Sequence, residues 1–158
     1  MNSNLKLKAT WADWLSGVEW KYYLTLHFTP SSNVTRQLAV SRLKRLRERL
    51  SRLLMGRKHK DQLCFFAVME QKPGGAPHVH VLVGGDGHKP MGHEELKRYV
   101  AGQWGKQDNC VDPYRLGDKN EGWFDMVEPG TELHLLNYNL KSFQYGQDPV
   151  LDEVLSKY

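Results

Sequence analysis

Two histidines and a glutamate are the residues whose types and spacing best fit metal chemistry. His78 and His80 stand two apart in the strand-like segment HVHVLV, so both side chains point to the same face. Glu70 ends the preceding apolar stretch, and residues 71–77 have the composition of a turn, so a hairpin places Glu70 opposite His78. Two imidazoles and a carboxylate suit Mn²⁺ or a similar divalent ion, with positions left open for water or substrate.

A tyrosine and a lysine near the end of the chain form a second candidate group. Residues 131–145, TELHLLNYNLKSFQY, have helical periodicity: the leucines lie on one side and His134, Tyr138, Lys141 and Tyr145 on the other. Lys141 could favour the phenolate of Tyr138 and the negative charge of a phosphoryl transition state. Attack on a phosphodiester would leave a covalent phosphotyrosine, and Tyr145 is the alternative nucleophile.

A basic block, defined as residues 36–60, indicates a polyanionic partner. It holds ten Lys or Arg and one acid, Glu48, so its net charge is +9, whereas the 12 basic and 17 acidic residues elsewhere give −5. A basic segment on an otherwise acidic chain is typical of nucleic-acid binding, although a solvated helix face is the alternative. The candidate DNA-binding residues are Arg36, Arg42, Lys44, Arg45, Arg47, Arg49, Arg52, Arg57, Lys58 and Lys60.

Taken together, these groups resemble the HUH endonucleases, and more narrowly the nuclease domain of rolling-circle replication initiator (Rep) proteins. Three motifs occur in that family's order: the apolar strand Tyr23–Thr29, the His-Val-His of His78–His80 after an acidic strand end at Glu70, and the Tyr-x-x-Lys of Tyr138–Lys141. The resemblance spans about residues 22–145. The His-x-His motif is the most specific of the three and the first strand the least.

The resemblance implies a ferredoxin-like antiparallel sheet flanked by helices and a nuclease that nicks and rejoins single-stranded DNA at a replication origin. Tyr138 would be the nucleophile that takes the 5′ phosphate and frees a 3′ hydroxyl, with Lys141 near the metal or phosphate. Glu70, His78 and His80 would bind Mn²⁺ or Mg²⁺. The implied partners are origin DNA, in the form of a hairpin, and a host helicase and polymerase.

Some features depart from the family pattern. His27 stands where the family more often has a small or hydroxylated residue, and only Tyr138 fits the third motif cleanly, which argues against a two-tyrosine relay. The sequence lacks a P-loop signature, GxxxxGK[ST], so we expect no helicase domain and unwinding by a separate protein.

Three other functions remain open from the sequence. A single-strand DNA transposase or a relaxase would use the same chemistry, but the glutamine partner typical of the transposase helix is missing, since Gln144 lies on the wrong face relative to Tyr138. A metal-dependent hydrolase of a small substrate would leave the basic block without a role. A binding module without chemistry would leave Glu70, His78, His80 and Tyr138 without a joint purpose.

The elements that must position these residues follow from local patterns. Alternation predicts a half-buried strand at 22–28, and leucine spacing predicts a helix from about 36 to 54 that Gly56 ends, with the arginines on its other face. Strands at 63–70 and 78–83, a helix at 92–104, a loop at 105–121, a strand at 122–127 and a helix at 131–145 complete the pattern. This order predicts an α+β fold, one antiparallel sheet with helices packed on it.

Length and composition fit a single cytoplasmic domain. The 158 residues, 40% hydrophobic and 25% charged, predict one domain over 1–158 with its core at about 20–146. The longest apolar run, Cys64–Met69, is far too short to span a membrane, and the N-terminus lacks the apolar stretch of a signal peptide. Two cysteines make no disulfide framework, so we expect the cytoplasm of a bacterial or virus-infected cell.

Overall fold

Four strands, two α-helices and a short 3₁₀ helix make up the described chain. The structure, a computed structural model, describes residues 13, 17–30, 33–58, 63–70, 76–85, 88–117 and 122–128. The elements are β1 (Trp20–His27), α1 (Arg36–Met55), β2 (Cys64–Glu70), β3 (His78–Gly84), α2 (His93–Gly105), a 3₁₀ helix (Pro113–Leu116) and β4 (Phe124–Met126). The helix expected at 131–145 lies outside the described residues. Among the helices that are described, none is long and apolar enough to cross a membrane.

The four strands form one antiparallel sheet in the order β2-β3-β1-β4. Consecutive strands β2 and β3 pair as a hairpin, while β1 inserts between β3 and β4, which both follow it in sequence. The predicted α+β class is confirmed, and the β-α-β-β-α-β order is compatible with a ferredoxin-like arrangement. This topology brings three separate segments of the chain side by side at the end of the sheet where His78 begins β3.

Helix α1 begins and ends at residues suited to its termini. The Thr35 side chain accepts a hydrogen bond from the Leu38 amide at 3.1 Å, which caps the first turn. Gly56 adopts a φ of 100°, a value that L side chains rarely take, and its amide donates to the Arg52 carbonyl. The predicted end of this helix at Gly56 is confirmed.

Both helices pack on the same face of the sheet. Leu24 and Leu26 of β1 and Val81 of β3 belong to one buried cluster with residues of α1 and α2. The members contributed by the two helices are Ala39, Val40, Leu43, Leu46, Leu50, Leu54, Leu96, Val100, Ala101 and Trp104. Because successive strand residues point to opposite faces, Tyr23, Thr25, His78 and His80 lie on the other face.

The segment after α2 is more ordered than expected. The sequence predicts a loop over 105–121, but within it Pro113–Leu116 forms a 3₁₀ helix that the Asp112 side chain caps by accepting from the Tyr114 amide at 3.0 Å. The predicted strand at 122–127 is shorter, Phe124–Met126, and pairs with β1. Strand β4 therefore pairs with the edge of β1 that lies opposite to β3.

Candidate metal centre

The register of strands β2 and β3 brings the predicted ligands together. Glu70 at the end of β2 is the direct cross-strand partner of His78 at the start of β3, as the hairpin interpretation expected. His80 is two residues further along β3, on the same face, so Glu70 reaches it diagonally. The three residues offer ligand atoms that all lie within 4.8 Å of one another.

The distances between these atoms fit a common divalent ion. One carboxylate oxygen of Glu70, Oε2, lies 3.2 Å from Nε2 of His78 and 2.9 Å from Nε2 of His80. Ligand atoms at right angles around an ion, each ~2.1 Å from it, are ~3.0 Å apart. Imidazole nitrogen and carboxylate oxygen also form a donor set that suits Mn²⁺ and other borderline divalent ions. The cluster could therefore hold a divalent metal ion.

The cluster is shielded but remains open to solvent. The side chains of Glu70 and His78 are each 18% exposed and that of His80 is 12% exposed. A site that is partly closed in this way strengthens electrostatic interactions while leaving room for a substrate group to approach. The arrangement therefore suits a ligand-binding or catalytic ion better than a fully enclosed structural one.

The far side of the His80 ring faces strand β1. Its Nδ1 atom lies 2.9 Å from the Tyr23 hydroxyl and 3.3 Å from the Thr25 hydroxyl. The Tyr23 ring also stacks on the His80 ring, with centroids 5.9 Å apart and planes inclined by 20°. The orientation of His80 is therefore constrained on one side by β1 and on the other by Glu70 of β2.

His27 is a neighbour of the cluster that sequence reasoning treated only as a departure from the family pattern. It is the cross-strand partner of His78, and the two rings stack with centroids 5.2 Å apart. Burial, followed by the nearby charges of His78 and His80, lowers the pKa of His27 to about 4, so the ring is uncharged near neutral pH. The alternation of β1 placed His27 on a definite face, but only the β1–β3 register could reveal its partner.

The structure divides the basic block into distinct environments. Arg47 is buried, so the prediction that the arginines fill the exposed face of the helix is wrong for this residue, which packs at the edge of the core stripe. Arg42 donates a hydrogen bond to the Asp108 carbonyl at 3.0 Å, in the loop after α2. Arg49 donates one to the Gln103 side chain of α2 at 2.9 Å. Those arginines dock α1 against its neighbours.

The other basic side chains of the block that the structure describes are accessible. Lys44 is partly exposed, Lys60 lies outside the described residues, and the exposed set comprises Arg36, Arg45, Arg52, Arg57 and Lys58. Because α1 covers the sheet face opposite to the ligands, the sheet and a helix about 10 Å across separate its outer side from the metal-ligand atoms. The exposed cations on the outer side of α1, such as Arg45 and Arg52, and the candidate metal centre therefore face different directions.

The remaining candidate site residues lie outside the part of the chain that the structure describes. Tyr138, Lys141, Tyr145 and the rest of the 131–145 segment are not described, so their positions relative to the cluster stay predictions.

Trp104 and Trp123 are 0% and 3% exposed and pack in the core, whereas Tyr114 is 50% exposed. The Trp104 indole donates to the His27 carbonyl at 3.0 Å and so ties α2 to the end of β1.

Comparison with known proteins found no match. No family model matches the chain, and neither a search of curated proteins nor one of solved structures found a significant relative.

Proposed function

We propose that this protein is a metal-dependent, sequence-specific endonuclease and strand transferase that acts on single-stranded DNA and initiates rolling-circle replication. The observation that carries the proposal is the cluster of Glu70, His78 and His80 at the end of an antiparallel sheet, with ligand atoms at metal-binding spacing. The same three residues form the most specific motif of the resemblance to the HUH endonucleases. The α+β fold is compatible with that family's sheet.

In this proposal, Glu70, His78 and His80 hold Mn²⁺ or Mg²⁺ beside the scissile phosphodiester. When bound, the ion supplies Lewis-acid stabilisation of the negative charge on the phosphate oxygens. Strands β2 and β3 set the spacing of the ligands, and the partial burial of the cluster limits competing water. The three residues lie on paired strands of the sheet, and sites built on strands hold their groups more precisely than sites on loops.

The proposed nucleophile is Tyr138, by the Tyr-x-x-Lys motif of the sequence. Its phenolic oxygen attacks phosphorus and loses its proton, the bond from phosphorus to the 3′ oxygen breaks, and that oxygen takes up a proton to become a free 3′ hydroxyl. The 5′ phosphate remains joined to Tyr138 until a hydroxyl reverses the step and rejoins the strand. Lys141, one turn away along the predicted helix, would offset negative charge on the phenolate and phosphate.

The basic block supports binding of a nucleic acid, but at a distance from the metal. Arg45 and Arg52 stand on the outer side of α1 and are exposed. Contacts of this kind with phosphates position a nucleic acid without reading its sequence. We therefore place flanking DNA, such as the stem of an origin hairpin, on this side and the scissile strand on the ligand side. A host helicase and polymerase would act with the nicked origin in the cytoplasm.

The test is covalent capture of DNA. The protein is incubated with a labelled random pool of single-stranded DNA and Mn²⁺ and is then separated on a denaturing gel. We expect a protein band shifted by attached DNA that disappears with EDTA, with His80→Ala and with Tyr138→Phe. Tyr114→Phe, which changes an exposed tyrosine of the 3₁₀ helix, is the matched control and should retain the band.

Each outcome separates the candidate functions. A band that survives Tyr138→Phe but not Tyr145→Phe would move the nucleophile to Tyr145. If the sequence at the attachment site of the trapped DNA matches the ends of a mobile element, the transposase alternative would be favoured. A match to a transfer origin would favour the relaxase alternative. Absence of any band, with metal-dependent turnover of a small phosphate ester, would overturn the nuclease proposal in favour of a hydrolase.

A further inference from the structure

The environment of His80 contains a feature that the metal-ligand motif does not explain. The Glu70 carboxylate lies at Nε2 of this ring, and the Tyr23 and Thr25 hydroxyls lie at Nδ1. The two hydroxyls come from β1, a strand that contributes none of the three predicted ligands. Tyr23 is a buried residue, 8% exposed, and its hydroxyl lies 2.9 Å from Nδ1 of His80.

We propose that Tyr23 is a positioning residue for the metal centre, whose hydroxyl holds the His80 ring with Nε2 directed at the ion. The inference rests on the metal-binding role of the cluster in the proposed function and adds to it a residue outside the His-x-His motif. A histidine that binds a metal through one nitrogen normally has its other nitrogen fixed by a hydrogen bond, which sets both its tautomer and its ring orientation. At 2.9 Å, the contact with Tyr23 has the length of such a bond.

A tyrosine hydroxyl suits this position because it can donate or accept. When Nε2 carries the proton and donates to Glu70, Nδ1 can accept a hydrogen bond from Tyr23. When Nε2 binds an ion, the proton resides on Nδ1, which then donates to the same hydroxyl. His80 can therefore pass between the two states without rotating its ring, and the cost of reorganising the site on metal binding is small.

Tyr23 is better placed for this role than the neighbouring threonine. The Thr25 hydroxyl is further from Nδ1, at 3.3 Å, and lacks the ring stacking that Tyr23 makes with His80. The cross-strand register explains both positions, since Thr25 is the direct partner of His80 whereas Tyr23 is the partner of Leu82 and reaches His80 diagonally. We therefore expect Thr25 to provide a weaker second contact.

The experiment measures metal affinity without DNA. The dissociation constant for Mn²⁺ is determined by isothermal titration calorimetry for the wild-type chain and for Tyr23→Phe, Tyr22→Phe and Thr25→Val. Tyr22 is a matched control, because it is the adjacent tyrosine of the same strand and points to the helix-covered face, where it packs against the core. The visible absorption spectrum of the Co²⁺-loaded proteins reports the ligand geometry directly. A change in folding stability alone would not alter this spectrum.

We expect Tyr23→Phe to weaken Mn²⁺ binding about 10-fold and Thr25→Val to weaken it less, as is usual for residues that orient a ligand. The Co²⁺ spectrum of Tyr23→Phe should also change, while Tyr22→Phe behaves as the wild type in both measurements. Equal affinities and spectra for Tyr23→Phe and wild type would overturn the positioning role and leave the proposed nuclease intact. Equal losses for both tyrosine variants would also overturn it, as a general structural effect. A wild-type chain that does not bind Mn²⁺ or Co²⁺ would overturn the metal centre itself.

Discussion

The two faces of the sheet are built from the same strands but have different physical roles. On the helix-covered face, Leu24, Leu26 and Val81 are 1% exposed or less and pack against α1 and α2. On the opposite face, at the end of the sheet where β2 ends and β3 begins, the side chains of Glu70, His78 and His80 are polar, in mutual contact and 12–18% exposed.

The contrast shows how a small fold can separate stability from chemistry. The apolar face gains free energy from removing side chains from water, which requires burial but no particular geometry of polar atoms. The ligand face depends on a few polar atoms held at distances near 3 Å, and it places imidazole and carboxylate groups where an apolar residue would be more stabilising. Substitutions on the two faces should therefore change different properties, and four predictions test this division.

The largest effect is expected from removing a ligand. Glu70→Gln or His80→Ala should weaken Mn²⁺ binding by more than the roughly 10- to 100-fold typical of outer-shell changes and should abolish covalent capture of DNA. Urea denaturation without metal should show a folded protein in both cases. His93→Ala, which removes an exposed histidine of α2, is the control. Normal metal affinity in Glu70→Gln would place the ion elsewhere.

A core truncation should give the converse result. Leu46 is fully buried in α1, so Leu46→Ala should lower the free energy of unfolding by about 2–5 kcal/mol, through lost burial and the cavity left behind. The affinity of the folded fraction for Mn²⁺ should stay within about twofold of the wild type, because the ligands lie on the other face. A large loss of affinity at temperatures where the variant is fully folded would show that the two faces are coupled.

Neutralising the outer cations of α1 should change DNA affinity and leave the metal centre intact. If Arg45 and Arg52 contact phosphates of a hairpin stem, the double variant Arg45→Gln, Arg52→Gln should reduce the slope of log affinity for a DNA hairpin against log salt by about 1.8, at ~0.9 per contact on duplex DNA. Mn²⁺ affinity should not change. Arg98→Gln on α2 serves as the control, and an unaltered slope in the double variant would remove α1 from the DNA interface.

The smallest effect concerns the pH dependence of stability at His27. Its folded-state pKa of about 4 is below the ordinary value near 6.5, so between these values the unfolded chain binds the proton more readily. The contribution of uncharged His27 to the stability of the metal-free protein should therefore be fully present above about pH 6.5 and should be lost as the pH drops towards 4. The His27→Gln variant should show a shallower fall in urea midpoint over that range than His93→Gln. Identical profiles would mean that His27 is readily protonated in the folded protein.

Much of this architecture is determined by local sequence. The alternation of apolar and polar residues in β1 and β3 decided which side chains share a face. The turn-like composition of residues 71–77, with Glu70 before them, predicted that Glu70 meets His78 across a hairpin, and the strand register confirms it. The leucine spacing of α1 and the glycine at its end decided its length. These are short-range properties, in which the period of the side chains and the chemistry of a turn or cap leave few alternatives.

Only the tertiary structure decided what surrounds those elements. The placement of β1 beside β3 brings Tyr23, Thr25 and His27 to the two histidines, although about 50 residues separate these segments and no local pattern specifies their register. The packing of α1 on the opposite face buries Arg47 and directs the exposed arginines away from the ligands. Such pairings arise from the burial of whole faces against one another, which is a property of the assembled chain and not of any one segment.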